Sequence, residues 1–230
     1  PQLLQFALNG PTWNDLPKTA PEGIPSRKGY PKVYFLDNTD TTGLQDVLAA
    51  VDLRRTLVVT LSKSGRTKET RNNLRALQQA YATANVPFAD HAVAVTLPDA
   101  DPVTGSELYI EAKGEPAWLE SFDMAESIGG RTSVTNIVGH VPAALCGIAF
   151  DKLVEGGRHM DQLTAVADPF SNPAYQLAIA WYAAGNGRGD RNMVIVPYAD
   201  RLVLLSRYLQ QLVMESLGKE RSLDGRLVNQ

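Results

Sequence analysis

Three stretches of the sequence gather side chains suited to anion binding and proton transfer. In SKSGRTKET, Ser62 to Thr70, the hydroxyls of Ser62, Ser64, Thr67 and Thr70 and the ammonium of Lys63 crowd the junction between an apolar run and a helix-forming one. A helix N-terminus presents unpaired N–H groups and a partial positive charge, so a phosphate sits there with little further help. Small hydroxyl residues let the anion approach the backbone and add donors of their own. The same residues also suit an ordinary Ser/Thr helix cap, which needs only one hydroxyl. In SIGGRTS, Ser127 to Ser133, paired glycines permit close backbone approach or a positive φ, and Arg131 follows directly at a helix start. A cation there opposes the helix dipole, which an anionic partner would explain. A plain helix start with a solvent-facing arginine fits the pattern as well.

The third stretch is MVIVPYADRLVLLSRYLQQLVMESLGKE, Met193 to Glu220, which reads as a buried strand, a short turn and a long amphipathic helix. Leu202, Leu205, Leu209 and Leu212 recur at three- and four-residue spacing and predict a core-facing side. Tyr208, Gln211 and Glu215 lie along another side, with Gln211 and Glu215 four apart and therefore neighbours. A carboxylate late in a helix is poorly placed for the dipole, which hints at another use, a base for proton transfer. Periodicity alone suits a solvated surface glutamate equally.

The elements that must position these groups follow from the apolar pattern. Residues 3–8 read as the tail of a helix stopped at Asn9-Gly10-Pro11, and residues 11–31, rich in Pro and Gly, as surface loop. KVYFL (32–36), TLVVTL (56–61) and AVAVTL (92–97) predict short buried strands, the last two of the kind found in a parallel sheet covered on both faces. Helices are expected over 42–50 and about 67–84, a short one over 107–113, and an extended edge over 117–122. The alternation of strand and helix predicts an α/β fold with a doubly wound parallel sheet. An apolar helical stretch is expected from Gly129 through Phe150, continuing polar to Met160. Another helix is expected over 172–185, with Pro173 in its first turn.

The chain has 230 residues, 44% hydrophobic and 20% charged, as in an ordinary globular protein. A net charge of −3 gives no sign of a broad nucleic-acid-binding face. No uninterrupted apolar run approaches the roughly 20 residues of a membrane span. The single cysteine, Cys146, lies in VPAALCGIAF and reads as a small buried hydrophobe. It forms no internal disulfide, as suits a reducing, cytoplasmic setting. The first residues have no basic segment of the signal-peptide kind. Both ends are abrupt, and the chain reads as a piece of something longer.

Taken together and in order, these motifs resemble the glucose-6-phosphate isomerase (phosphoglucose isomerase) family, and the likeness runs along most of the chain. SKSGRTKET resembles that family's phosphate-binding turn, SIGGRTS its glycine-glycine-arginine segment, and MESLGKE the helix carrying its catalytic glutamate. VPAALCGIAFDKLVEGGRHMD and NPAYQLAIAWYAAG look like bacterial members. The resemblance implies two phosphosugar-isomerase (SIS-type) three-layer α/β/α domains with parallel sheets. It implies a first domain over 1–122, a connecting helical region over 123–160, and the start of a second domain over 161–230, both domains incomplete.

The resemblance also implies Ser62, Lys63, Ser64, Thr67 and Thr70 at a substrate phosphate, Gly130 and Gln211 beside the sugar, and Glu215 as base with Arg131 stabilising the developing negative oxygen. It implies a small-molecule sugar phosphate as ligand, no metal or organic cofactor, no nucleic-acid or membrane partner, and a homodimer at full length. The family's ring-opening histidine and a late lysine are expected beyond Gln230, and its glycine-rich serine motif upstream of Pro1. His91, His140 and His159 match none of these and are expected to be structural. Arg66 and Lys68 make the phosphate turn more basic than in many members. Two other readings remain: a non-catalytic phosphosugar-binding regulatory module, and the isomerase part of a dual-specificity or transaldolase-fused enzyme.

Overall fold

A computed structural model describes residues 1–228. Its helices, in chain order, are α1 (Gln2–Asn9), α2 (Thr41–Ala50), α3 (Lys68–Thr83), α4 (Glu107–Ala112), α5 (Ile137–Leu145), α6 (Phe150–Thr164), α7 (Pro173–Ala184) and α8 (Val203–Leu217). The strands are β1 (Val58–Leu61), β2 (Ala92–Thr96) and β3 (Glu120–Asp123). Two compact units result, one of residues 31–141 and one of residues 1–30 with 142 onward. Within the latter unit the first helix, α1, packs with the last, α8.

In the unit of residues 31–141 the strands form a parallel sheet in the order β1-β2-β3. Val58 pairs with Ala92 and Leu61 with Val95, then Val93 with Glu120 and Thr96 with Asp123. All five residues of β2 are buried, as befits a central strand, whereas β3 is largely exposed. Ala92 and Ala94 keep one face of β2 shallow enough for Leu74 of α3 and Leu108 and Ala112 of α4 to close over it, with Trp118. Val58, Tyr81 and Val86 form a second cluster, and Phe88 touches both. The rings of Tyr81, Phe88 and Trp118 stack edge-on at 5.3 and 5.4 Å between centroids. Arg71 and Arg75 of α3 pair with Glu107 and Glu111 of α4 at 3.3 and 2.9 Å. Those pairs make α3 and α4 neighbours, as two right-handed crossovers running in one direction require. The expected α/β class with a parallel sheet is thus present.

The other unit is helical. α6 covers most of the helix expected from 151, extends it to Thr164 and begins at Phe150. α5 and α6 do not run on continuously. Gly147 stands at φ +67°, and a Cβ there would lie 2.3 Å from the Tyr30 ring, so the chain turns between them. α7 begins as expected at Pro173, capped by Asn172, whose Oδ1 accepts from the N–H groups of Ala174 and Tyr175. The Asn172 Nδ2 donates to Thr164 O and Val166 O at 2.9 and 2.8 Å, and the side chain is fully buried. Asn172→Ala removes the cap and a buried side chain that donates to two carbonyls, so we expect a loss of about 2–3 kcal/mol in the unfolding free energy. Chemical denaturation monitored by far-UV circular dichroism measures it.

Two expected strands are absent. Residues 32–36 join no ladder among the described residues; the Asn73 Nδ2 donates to Leu36 O and, just beyond, to Asn38 O at 3.2 and 2.9 Å. Residues 193–196 also form no strand among the described residues, with Val194 76% and Val196 60% exposed. A strand is defined by its neighbours, and neither run meets one among the described residues. α7 is apolar around its whole circumference, yet none of its residues is buried; Leu177 is 65% and Tyr182 71% exposed. Cys146 is buried as expected, and desolvation pushes its thiol up to about 11. Among the described residues no helix is long and apolar enough to cross a membrane, and no group of three or more His, Cys, Asp or Glu could hold a metal ion.

Candidate active site

The end of β1 delivers the chain into the turn Ser62–Thr67, where short side chains of the turn bond its own backbone. Ser62 is buried, and its Oγ accepts from Gly65 N at 3.0 Å and lies 3.4 Å from Thr67 Oγ1. Ser64 Oγ accepts from Arg66 N at 3.2 Å. Gly65 adopts φ +74° and passes so close to α4 that a Cβ would stand 2.4 Å from Leu108 N. The carbonyls of the turn are tied to the segment after β2. Leu97 N and Thr96 Oγ1 donate to Lys63 O at 3.1 and 3.2 Å, and Glu107 N donates to Ser64 O at 3.0 Å.

Thr67 takes the N-cap position of α3, but its side chain makes no capping bond to the helix. A Ser/Thr-rich cap was one reading of this run, and the structure does not use the hydroxyl in that way. α3 spans 16 residues, and its uncapped N-terminus lies within a cluster of hydroxyls. An anion is the ligand that such a terminus favours. Lys63 reaches away from the turn: its Nζ donates to Glu126 O at 2.5 Å. Lys63 thereby fastens the turn to the segment that leads into Gly129-Gly130-Arg131, a link that no sequence pattern signalled.

That segment differs from expectation in its helix type. Gly130–Thr135 forms a 3-10 helix ahead of α5, with Gly129 as its N-cap residue. Ser133 Oγ donates to Gly130 O at 2.6 Å and Thr132 Oγ1 to Gly129 O at 3.1 Å, so the two hydroxyls tighten the turn. Neither glycine has a positive φ, and a Cβ on Gly130 would meet nothing within 4 Å. Protein packing in this unit therefore gives no reason for the glycine at 130. Arg131 stands half-buried at the start of the 3-10 helix.

The other unit holds Gln211 and Glu215 on α8. Leu205, Leu209 and Leu212 are half-buried as the spacing predicts, while Leu202, before the helix, is exposed. α8 packs with α1, and Arg201 just ahead of it donates to Leu8 O at 3.0 Å. Gln211 Nε2 and Glu215 Oε2 are 3.5 Å apart on the exposed side, one helical turn from each other. α8 ends after Leu217, where Gly218 N donates to Met214 O and Lys219 Nζ to the Glu215 backbone carbonyl, at 2.8 and 2.9 Å. Glu215 is thus carried in a terminated last turn with Gln211 beside it.

The turn and the Gly130-Arg131 segment lie in one unit, with Lys63 tied to Glu126 ahead of that segment, and Gln211 and Glu215 lie in the other. His91 has a structural setting, its Nδ1 3.1 Å from Thr56 O and its ring tilted against Tyr81. Arg66, which adds basicity to the turn, is engaged by the loop after β2 and by Glu107.

Residues 15–230 match the family model described as phosphoglucose isomerase. A glucose-6-phosphate isomerase of Thermosynechococcus vestitus is 52% identical over 86% of this chain and 36% of its own length. One of Citrifermentans bemidjiense is 48% identical over 100% of this chain and 39% of its own. The crystal structure of a glucose-6-phosphate isomerase from Chlamydia trachomatis superposes with a TM-score of 0.78 at 28% identity, covering 100% of this chain and 40% of that one. The chain thus spans well under half the length of the relatives it matches.

Proposed function

Given that the chain belongs to the phosphoglucose isomerase family, we propose that it carries the phosphate grip and the proton-transferring base of an aldose–ketose isomerase interconverting glucose 6-phosphate and fructose 6-phosphate. The observation that carries this reading is the uncapped N-terminus of α3 in a turn rich in hydroxyls. It provides a built place for the one charged group that both sugars share.

In the proposed reaction the 6-phosphate lies against Ser62, Lys63, Ser64, Thr67 and Thr70, with Lys63 offering its backbone while its ammonium stays on Glu126 O, and this holds the open-chain sugar in register. The Glu215 carboxylate removes the proton from C2; the C–H electron pair becomes the C1–C2 double bond, and the carbonyl electrons move onto O1. Arg131 stabilises that oxygen in the cis-enediolate. Glu215 then returns its proton to C1, the hydroxyl proton passes from O2 to O1, and the ketose results. No electrons leave the substrate, so no redox cofactor is needed. Gln211 orients the carboxylate from one turn away, and the space at Gly130, open to a full Cβ, is where the sugar approaches the backbone.

Residues 161 onward are read as the opening of a second phosphosugar-binding α/β domain, a reading that the apolar character of α7 and of residues 193–196 supports. On this reading the active form is a homodimer of the longer protein, and the 230-residue chain alone has little turnover. Assaying both with glucose, fructose and mannose 6-phosphates tests the proposal. Turnover of glucose 6-phosphate by the full-length protein is expected. Binding of these sugars without turnover would instead identify a regulatory module.

A further inference from the structure

Arg66 sits in the middle of the proposed phosphate turn, yet its guanidinium is spent on other groups. Its Nη2 donates to Val103 O at 2.9 Å and to Gly105 O at 3.0 Å, and its Nε lies 3.4 Å from Glu107 Oε1. The other Glu107 oxygen lies 3.3 Å from Arg71 of α3, so one carboxylate at the start of α4 is held between cations before and within α3. The loop it grips is folded on itself. Asp101 Oδ1 accepts from Val103 N and Thr104 N, both at 2.8 Å, Gly105 N donates to Asp101 O and Ser106 N to Asp99 O, both at 2.9 Å. Ser106 Oγ and Thr96 Oγ1, 2.5 Å apart, fasten its far end to β2.

We propose that Arg66 is a positioning residue: it clamps the phosphate turn to the loop 97–107, holding Ser64–Thr67 in their anion-binding shape without itself touching the phosphate. This rests on the reading of Ser62–Thr70 as the phosphate grip. Three donors of the guanidinium are already engaged by the loop, and their fixed fork geometry suits two carbonyls and a carboxylate at once. Together with the backbone bonds from Leu97 N to Lys63 O and from Glu107 N to Ser64 O, they hold the turn by both its carbonyls and its side chain. A turn ordered before the ligand arrives spares binding the entropy of ordering it. Because a phosphate distant from the reacting carbons is gripped equally in ground and transition states, the clamp acts on KM and leaves kcat unchanged.

The test uses full-length protein with Arg66→Ala, Arg66→Lys and Glu107→Gln, read by amide hydrogen exchange, by inorganic phosphate binding in calorimetry, and by kinetics. For Arg66→Ala we expect faster exchange at Leu97, Gly105 and Glu107, phosphate affinity and KM each worsened about tenfold, and kcat within about twofold. Arg66→Lys restores little, since one ammonium cannot span three acceptors. Glu107→Gln loosens the clamp and weakens phosphate binding. Weaker phosphate binding in Arg66→Ala with unchanged exchange would make Arg66 a direct ligand and overturn the proposal, as would tighter phosphate binding in Glu107→Gln. Faster exchange with unchanged phosphate affinity overturns it too. Wild-type protein that binds no phosphate removes the grip and the clamp's purpose together. Wild-type protein that binds phosphate but turns over no sugar removes only the isomerase reading, and the exchange and affinity results still decide the clamp.

Discussion

Replacing Glu215 by Gln in the full-length protein is expected to lower kcat for glucose 6-phosphate by about 10³-fold or more, at the upper end of what a positioned base contributes. The carboxamide has the carboxylate's shape but cannot take up the C2 proton. Glu215 is exposed on α8, its side chain 3.5 Å from Gln211, and its helix is terminated by Gly218 rather than by the carboxylate. Glu215→Gln keeps the size of a side chain at an exposed position, so the unfolding free energy should change by less than about 0.5 kcal/mol. KM should stay within about threefold, because the phosphate grip lies on other residues. A sharper readout is isotopic. With substrate deuterated at C2, the parent enzyme releases deuterium to water or carries it to C1, and Glu215→Gln does neither at a measurable rate. Full turnover in the variant would remove Glu215 from the mechanism and favour a ligand-sensing role.

Much of the unit of residues 31–141 was legible in the sequence because local signals there agree with the tertiary outcome. TLVVTL and AVAVTL are short apolar runs bounded by turn residues, and β1 and β2 occupy most of each. Thr67 marked the boundary of α3 and Asn172-Pro173 that of α7 within one residue. KVYFL and MVIV carry the same apolar signal and failed as strands, since the signal reports a wish for burial and says nothing of whether a ladder partner exists. α7 shows the same limit in helical form: its composition calls for burial on every side, and the described residues leave it exposed.

At the site, the hydroxyl-rich turn could be read directly from residue type and spacing. The contacts of its two cations could not. Lys63 ends on Glu126 O and Arg66 on Val103 O and Gly105 O, partners 63, 37 and 39 residues away, and backbone carbonyls have no sequence signature. Gly130 reads from the sequence as a site of close backbone approach or of positive φ, and by the family resemblance as a residue beside the sugar. Its φ and its surroundings in this unit require no glycine, which moves the explanation from the backbone to whatever occupies the space beside it.

Gly65 is the opposite case, and its replacement should have the largest structural effect on the site. Gly65→Ala meets two penalties at once. The φ of +74° lies in the left-handed region, which costs an alanine about 1–2 kcal/mol. The new Cβ would also stand 2.4 Å from Leu108 N, a backbone atom of α4 that cannot swing aside as a side-chain tip can. Relief requires shifting either the turn or the start of α4. That shift strains the bond from Glu107 N to Ser64 O and the one from Gly65 N to Ser62 Oγ. We expect a total loss of about 3–4 kcal/mol in unfolding free energy, in the range reserved for strain at special backbone positions. We also expect phosphate affinity to fall by at least about tenfold, because the donors at the head of α3 no longer converge. Gly130→Ala supplies the contrast. The structure gives it room for a Cβ, so its stability should change by less than about 0.5 kcal/mol while sugar-phosphate KM rises, if the space beside it belongs to the substrate. Equal stability losses at the two positions, measured by urea denaturation, would show that the turn at Gly65 yields freely and that its close approach to α4 does not define the phosphate grip.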